Sequence, residues 1–366
     1  MANVFGNILK LSIFGESHSD AIGVVIDGLP AGLPVDMEAV QKEMERRAPG
    51  RNSFSTPRKE GDVPHIVSGL FNDKTTGTPL CAIIQNTNTR SKDYTPELLR
   101  PSHADFTALC RYHGFADFRG GGHFSGRLTA PLVFAGALAK SYLAMQGIEV
   151  FAHIKSIGTN RDLSFDAVNP DVETYRKLKA ETLPVLDKDI APKMAETIES
   201  ARTNQDSVGG VIEALVTGLP AGLGSPFFES VESRLAAMLF SVPAVKGVEF
   251  GTGFAISELL GSQANDSFCF ENGTVKTKTN HNGGINGGIT NGMPLCFSVA
   301  IKPTPSISRP QSTVNVETGE EVTMEIHGRH DPCIVQRAVC VIEAVTAIVM
   351  ADLLLEAKTY AKPSEK

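Results

Sequence analysis

The sequence predicts an α+β fold, a β-α-β sandwich with long central helices between antiparallel sheets and an internal pseudo-twofold duplication. The hexapeptide Gly-Leu-Pro-Ala-Gly-Leu occurs at 28–33 and again at 218–223. The stretch TTGTPLC from Thr75 to Cys81 is echoed by TNGMPLC from Thr290 to Cys296. Each half then enters a long helix pattern that is apolar on nearly all faces, which requires burial on every side. The simplest solution packs the two helices together and covers them with a sheet on either side.

The elements follow in order from their local patterns. LKLSIF, starting at Leu9, and IGVVID, starting at Ile22, are strand-like, and an amphipathic helix follows from Asp36 to Arg47. The TTGTPLC turn leads into the β-rich run AIIQ, and a long helix covers roughly 126–145, with Pro131 tolerated in its opening turns. In the second half VIEALVT ends at Thr217, an amphipathic helix is predicted from Phe227, and FSVAIK follows the TNGMPLC turn. A second long helix covers roughly 332–356. One domain over 1–366 is expected, with halves of about 1–150 and 205–357. The segment at about 155–205, with its KLKAE and DKD charges, reads as an exposed helical insertion and not as a linker.

The chain has 366 residues, 42% of them hydrophobic and 20% charged, which is enough for a substantial core. Its 34 Lys and Arg against 41 Asp and Glu give a net charge of −7, so no broad basic face exists to track a phosphate backbone. Nucleic acid is therefore not expected as a partner, and an anionic ligand must be met by local clusters of Arg. Six cysteines without a CxxC pair fit reduced core thiols. The amino terminus lacks the basic start and cleavage site of a signal peptide, so a cytoplasmic protein is expected. The apolar stretch from Ala338 to Leu355 is interrupted by Glu343 and Asp352, which favours a buried helix over a membrane span.

Several segments carry chemistry. Gly15-Glu16-Ser17-His18 sets a histidine in a turn between two strands, where it either moves protons near neutral pH or simply bonds the backbone. The run 42–60 gathers Arg46, Arg47, Arg51 and Arg58, either as a solvated helix end or as a clamp on phosphate or carboxylate. Arg100-Pro101-Ser102-His103-Ala104-Asp105 combines a stiff turn with Arg, His and Asp. Gly120 to Arg127 is a Gly-rich turn opening the first long helix, a ready anion site without the Walker ending or a dinucleotide fingerprint. Asn280 to Gly288 is a Gly-rich turn that could press against a flat ring. Lys302 to Ser306 offers a cation and hydroxyls, and Arg329-His330-Asp331-Pro332 precedes the second long helix. Arg127 and Arg329 fall at comparable ends of the two central helices, so cations from both halves could face one cleft.

These segments together resemble the chorismate synthase family. The resemblance is carried by GESHSDAIGVVIDGLP at 15–30, HFSGRLTAPLVFAGAL at 123–138 and RHDPCIVQRAVCVIEAV at 329–345, with RPSHAD, NHNGGINGGI and KPTPSI between them, so it runs from about Phe5 to Leu355. It implies a homotetrameric enzyme that converts 5-enolpyruvylshikimate 3-phosphate to chorismate and phosphate by anti 1,4-elimination with reduced FMN. By the same resemblance, His18 is expected as the acid near the departing phosphate and His103 as the proton donor to the flavin. Asp331 is expected to help remove the C6 proton, with Ser17 and Ser125 assisting. Arg47, Arg100, Arg127 and Arg329 are expected to hold the substrate anions. The flavin site is expected to draw on His123, Phe124, Ser125, Pro243, Ala244, Gly287, Lys302, Pro303, Thr304, Pro305, Ser306 and Arg329. Ser53 and Ala48 stand where relatives often carry Arg, and Arg51 is expected to substitute. Without a nicotinamide fingerprint or length for a reductase domain, reduced flavin is expected from outside and not from NADPH at this chain. A metal-dependent phosphatase using His18, His103 and Asp331 ranks behind, because it lacks clustered carboxylates. No metal is expected.

Overall fold

Two five-stranded antiparallel sheets enclose a pair of long helices, in a computed structural model that describes residues 3–50, 61–87, 94–326 and 331–360. The first half runs β1 (Val4–Phe5), β2 (Lys10–Gly15), β3 (Ala21–Asp27), α1 (Met37–Arg47) and β4 (His65–Ser68). It continues through the small hairpin β5–β6 (Leu70–Phe71, Lys74–Thr75), β7 (Leu80–Gln85), α2 (Asp105–Tyr112) and the long helix α3 (Thr129–Ala144). Then come β8 (Glu149–Ile157), β9 (Asn160–Arg161), α4 (Val172–Leu178), α5 (Ala191–Thr203), β10 (Gly210–Thr217), α6 (Val231–Ser241), β11 (Val245–Phe250) and α7 (Gly261–Ala264). The hairpins β12–β13 (Phe268–Glu271, Thr274–Thr277) and β14–β15 (Ile285–Asn286, Ile289–Thr290) precede β16 (Leu295–Ile301). The hairpin β17–β18 (Gln311–Val314, Glu321–Met324) leads to the second long helix, α8 (Val335–Thr359).

The sheets are ordered β1-β2-β3-β7-β4 and β11-β16-β10-β8-β9, so the series β2-β3-β7 recurs as β8-β10-β16. Helix α3 lies on the first sheet, α8 lies on the second, and the two helices face each other, as the sandwich expectation requires. The duplication extends to single hydrogen bonds. Thr75 Oγ donates to the Pro30 carbonyl and accepts from the Leu33 N–H, and Thr290 Oγ repeats both contacts with Pro220 and Leu223. The strand before the insertion, β8, belongs to the second sheet, so residues 158–209 interrupt the β8–β10 pair. At the matching place between β2 and β3 the first half has only the turn of residues 16–20.

The amphipathic pattern from Phe227 starts a helix too early. Phe227 to Glu229 form a 3-10 turn with both phenylalanines exposed, and α6 begins at Val231, where the Ser230 hydroxyl accepts the Ser233 N–H as an N-cap. The capping oxygen fixes the start because the first turn's N–H groups have no partner within the helix.

Helix α8 has the length and hydropathy of a membrane span, yet its apolar stretch is buried inside the protein. Where it crosses α3, a Cβ on Gly136 would lie 2.3 Å from the Ala344 Cβ, so only glycine lets the helices approach this closely. The two charges within the apolar stretch of α8 from Ala338 to Leu355, Glu343 and Asp352, are fully buried and matched. Asp352 accepts the N–H groups of Asn7, Ile8 and Leu9 and pairs with Arg234, fastening the start of the first sheet to α6. Glu343 pairs with Arg46 of α1 and Lys140 of α3. Burial pushes the Glu343 carboxyl up, but these two cations outweigh it and hold the group well below the usual carboxylate range. Cys296, Cys333 and Cys340 are buried, and burial pushes the Cys333 thiol up to about 12, so these cysteines serve as apolar core side chains.

Replacing Gly136 with Val forces the helices apart. A loss of about 3 kcal/mol in unfolding free energy is expected, at the high end for overpacking, and an unchanged urea midpoint would show that the contact is not tight.

Candidate active site

Both central helices begin at one cavity of about 240 Å³. Ser125, Gly126, Arg127 and Thr129 line it from the approach to α3, Asp331, Ile334 and Arg337 from the approach to α8, and Arg47 from the last turn of α1. Two helix starts bring their positive dipole ends to the same space, which suits an anion. Two of the expected substrate arginines stand there. Arg47 donates to the Thr129 hydroxyl at 3.1 Å and the Gly126 carbonyl at 2.8 Å. Arg127 donates to Asn86 Oδ1 at 2.9 Å and the Gln85 carbonyl at 3.2 Å.

Both guanidiniums share one carboxylate. Asp62, only 3% exposed, receives Arg47 on one oxygen at 2.7 Å and Arg127 on the other. Burial raises the Asp62 carboxyl, but Arg47 and Arg127 outweigh that effect and hold it below its ordinary 3.8. Arg337, in the first turn of α8, donates from Nε to the Arg47 carbonyl at 3.0 Å and from Nη1 to Asp331. The carboxylate of one half is thereby tied to the cation of the other.

The turn between β2 and β3 carries Ser17, which is buried, and His18, which is half-buried. The Gly-rich turn before α3 presses onto it. Gly120, Gly121 and Gly122 all have positive φ (62°, 85° and 53°). A Cβ on Gly120 would lie 2.6 Å from the His18 ring, and the Gly122 carbonyl accepts the Ser17 N–H at 3.0 Å. Asn86 joins this turn to the arginine pocket, donating to the Glu16 and Ser19 carbonyls while accepting from Arg127. The Tyr94 ring meets His18 edge-on at 5.5 Å, and the Arg100 guanidinium lies 5.3 Å from the same ring. Arg100 is held by a bidentate pair to Asp105, with contacts of 2.8 and 2.7 Å.

A third group forms around His103, whose Nε2 lies 2.8 Å from the Ser306 hydroxyl. Lys302 donates from Nζ to the Ser102 carbonyl at 2.8 Å and from its N–H to the Ala244 carbonyl at 2.9 Å. His103, the turn from Lys302 to Ser306 and the Pro243-Ala244 corner are thus one assembly. The Thr304 hydroxyl within that turn is buried with no hydrogen-bond partner, leaving a polar atom for a ligand to satisfy.

Not every expected residue converges. His123 instead donates from Nδ1 to the Gly15 carbonyl at 2.8 Å, bracing the end of β2, and Phe124 packs edge-on to Tyr112. Gly287 sits in the β14–β15 turn against the start of α6, whereas Pro243 and Ala244 follow its end. An 11-residue helix separates them, roughly 16 Å at 1.5 Å per residue. Arg329, Arg51 and Ser53 lie outside the described residues. Sequence reasoning missed Asp62, Asn86, Tyr94 and Arg337. Arg337 lies six residues from Asp331, a separation that no helix spacing rule pairs.

The family model described as chorismate synthase matches residues 9–355. A chorismate synthase of Dehalococcoides mccartyi (strain BAV1) is 46% identical over 360 residues, covering 98% of each chain. One from Thermococcus kodakarensis is 47% identical over 360 residues, covering 97% of this chain and 98% of the relative. A solved structure described as "Crystal Structure of Chorismate Synthase" superposes with a TM-score of 0.77 at 29% identity, covering 96% of this chain and 93% of that one.

Replacing Asp62 with Asn takes from two buried guanidiniums the carboxylate they share, and a loss of about 3–5 kcal/mol is expected at pH 7. Because the folded-state pKa of Asp62 is depressed, its contribution is present above the unfolded value and is lost as pH falls through 3.8 toward the folded value. The gap in urea midpoint between wild type and variant should therefore narrow on acidification. A gap that is absent, or constant with pH, would remove the ionic role.

Proposed function

The chain belongs to the chorismate synthase family, the lyases that make chorismate in the shikimate pathway, and from that premise we propose its reaction in detail. It converts 5-enolpyruvylshikimate 3-phosphate to chorismate and phosphate by anti 1,4-elimination, using reduced FMN. The observation that carries this reading is the convergence of Arg47, Arg127 and Asp331 on one cavity at the N-termini of both central helices.

In the elimination the C–O bond to phosphate breaks, the C6 proton leaves and a new double bond forms, with no net change of oxidation state. The guanidiniums of Arg47 and Arg127 and the two helix starts stabilise the charge that develops on the leaving phosphate. Arg100, steered by Asp105 and Tyr94, is placed to meet a further anionic group near His18. His18 gives a proton to the departing phosphate, with Ser17 and the Gly120 turn fixing its ring. Asp331 receives the C6 proton, and its contact with Arg337 orients it. His103, fixed by Ser306, would serve as the proton donor toward a bound flavin.

The assembly of Ser125, Pro243, Ala244 and the turn from Lys302 to Ser306 suits FMN, and the orphaned Thr304 hydroxyl is the feature that supports this fit. When bound, reduced FMN supplies electron density to the reacting ring and takes it back. Self-association into a homotetramer is supported by the exposed Phe227, Phe228 and Phe254. A cytoplasmic setting and an external source of reduced flavin complete the reading.

Anaerobic incubation of the protein with 5-enolpyruvylshikimate 3-phosphate and chemically reduced FMN should yield chorismate. No product would overturn the lyase reading, and product without flavin would overturn the cofactor. His103→Ala should lower kcat by about 10²–10⁴-fold, with the lost activity confined to the chemical step; wild-type turnover would remove His103 from the mechanism.

A further inference from the structure

We propose that a second, smaller cavity, between the end of α4 and the first turns of α8, is a binding site for a small protonated oxyanion of the hydrogen-phosphate class. The cavity measures about 70 Å³ and includes Lys179, Gln336 and Arg337 in its lining, with Glu181 and Thr182 on its exposed rim. It is assigned on these residues alone and stands whether or not the proposed elimination is correct.

Gln336 carries the assignment. Its side chain is only 8% exposed, and neither its amide nitrogen nor its amide oxygen has a hydrogen-bond partner. A buried amide with both atoms unsatisfied is costly to keep, and it becomes favourable where a ligand answers both. The answering ligand must accept from Nε2 and donate to Oε1 on adjacent atoms. A hydrogen phosphate does this with P–O⁻ and P–OH, whereas a fully deprotonated sulfate cannot donate.

Lys179 sets the sign of the ligand. Its ammonium lies 5.4 Å from the Phe151 ring centroid, and no ion pair joins it to a carboxylate among the described residues. Burial lowers its proton affinity, and the two carboxylates that act on it, Glu343 and Glu43, are already matched by Arg46 and Lys140. A neutral water satisfies an amide but leaves this charge uncompensated, and an anion answers both. Arg337 lines this cavity and the larger one, so an anion here sits one side chain away from Asp331.

Crystals soaked in arsenate, a proton-bearing phosphate analogue with its own anomalous signal, test the placement. An arsenic peak within hydrogen-bond distance of Gln336 Nε2 and Lys179 Nζ is expected, with selenate giving a much weaker peak there. Arsenic only in the larger cavity, or equal arsenate and selenate peaks at Gln336, would overturn the proposal. In solution, Gln336→Leu exchanges the unsatisfied amide for an apolar group of similar size and should fold with a melting temperature at or above wild type in anion-free buffer. Equilibrium dialysis with labelled phosphate should show wild type holding one more phosphate per chain than Gln336→Leu or Lys179→Met. Equal stoichiometry in all three proteins would refute the site.

Discussion

The molecule is organised by two helices that cannot face water. Helices α3 and α8 are apolar on nearly every side, so each needs a sheet behind it and the other helix in front, and Gly136 lets the pair close to contact. That packing brings both N-termini to one cavity. A helix start carries a positive dipole end whatever the sequence, so a fold that gathers two of them at one place has an anion-binding character before any side chain is added.

The side chains then sharpen it. An acidic protein keeps a cationic pocket by burying its arginines against few carboxylates: Asp62 serves both Arg47 and Arg127, and Asp331 engages Arg337. Two guanidiniums thus meet on one carboxylate, and the low dielectric around them strengthens their attraction for an incoming anion. The buried Glu343, matched by Arg46 and Lys140, repeats the device within the core, where it joins α1, α3 and α8.

The helices, the sheets and the duplication were legible because they depend on periodicity and on turn residues that recur locally. The repeated hexapeptide works as a signal because each copy makes the same bonds, to Thr75 in one half and Thr290 in the other. Ser17, His18, Arg47, Arg127 and Asp331 were legible as motif residues. Their supports were not, because Asp62 lies 65 residues from Arg127, Asn86 bridges two strand ends, and Tyr94 touches His18 across the fold. Such partners carry no spacing rule, since only the closed sheet decides which loops meet. The start of α6 was misjudged for a related reason: apolar phenylalanines at 227 and 228 fit a helix pattern, but they are exposed, and the Ser230 cap sets the boundary.

The duplication supplied symmetry, and the chemistry depends on its loss. Between β2 and β3 a short turn holds Ser17 and His18, and Asn86 joins that turn to the arginine pocket, whereas the corresponding β8–β10 junction opens into the segment 158–209, which forms α4 and α5. At the helix starts the groups differ: Arg127 before α3 places a guanidinium in the pocket, and the approach to α8 places a carboxylate there, Asp331, with Arg337 beside it. Two equivalent halves would present the same group from both sides. The proposed elimination needs opposite groups, one to stabilise a leaving anion and one to accept a proton, and under that proposal divergence between the halves provides both on a scaffold whose geometry the helix contact has already fixed.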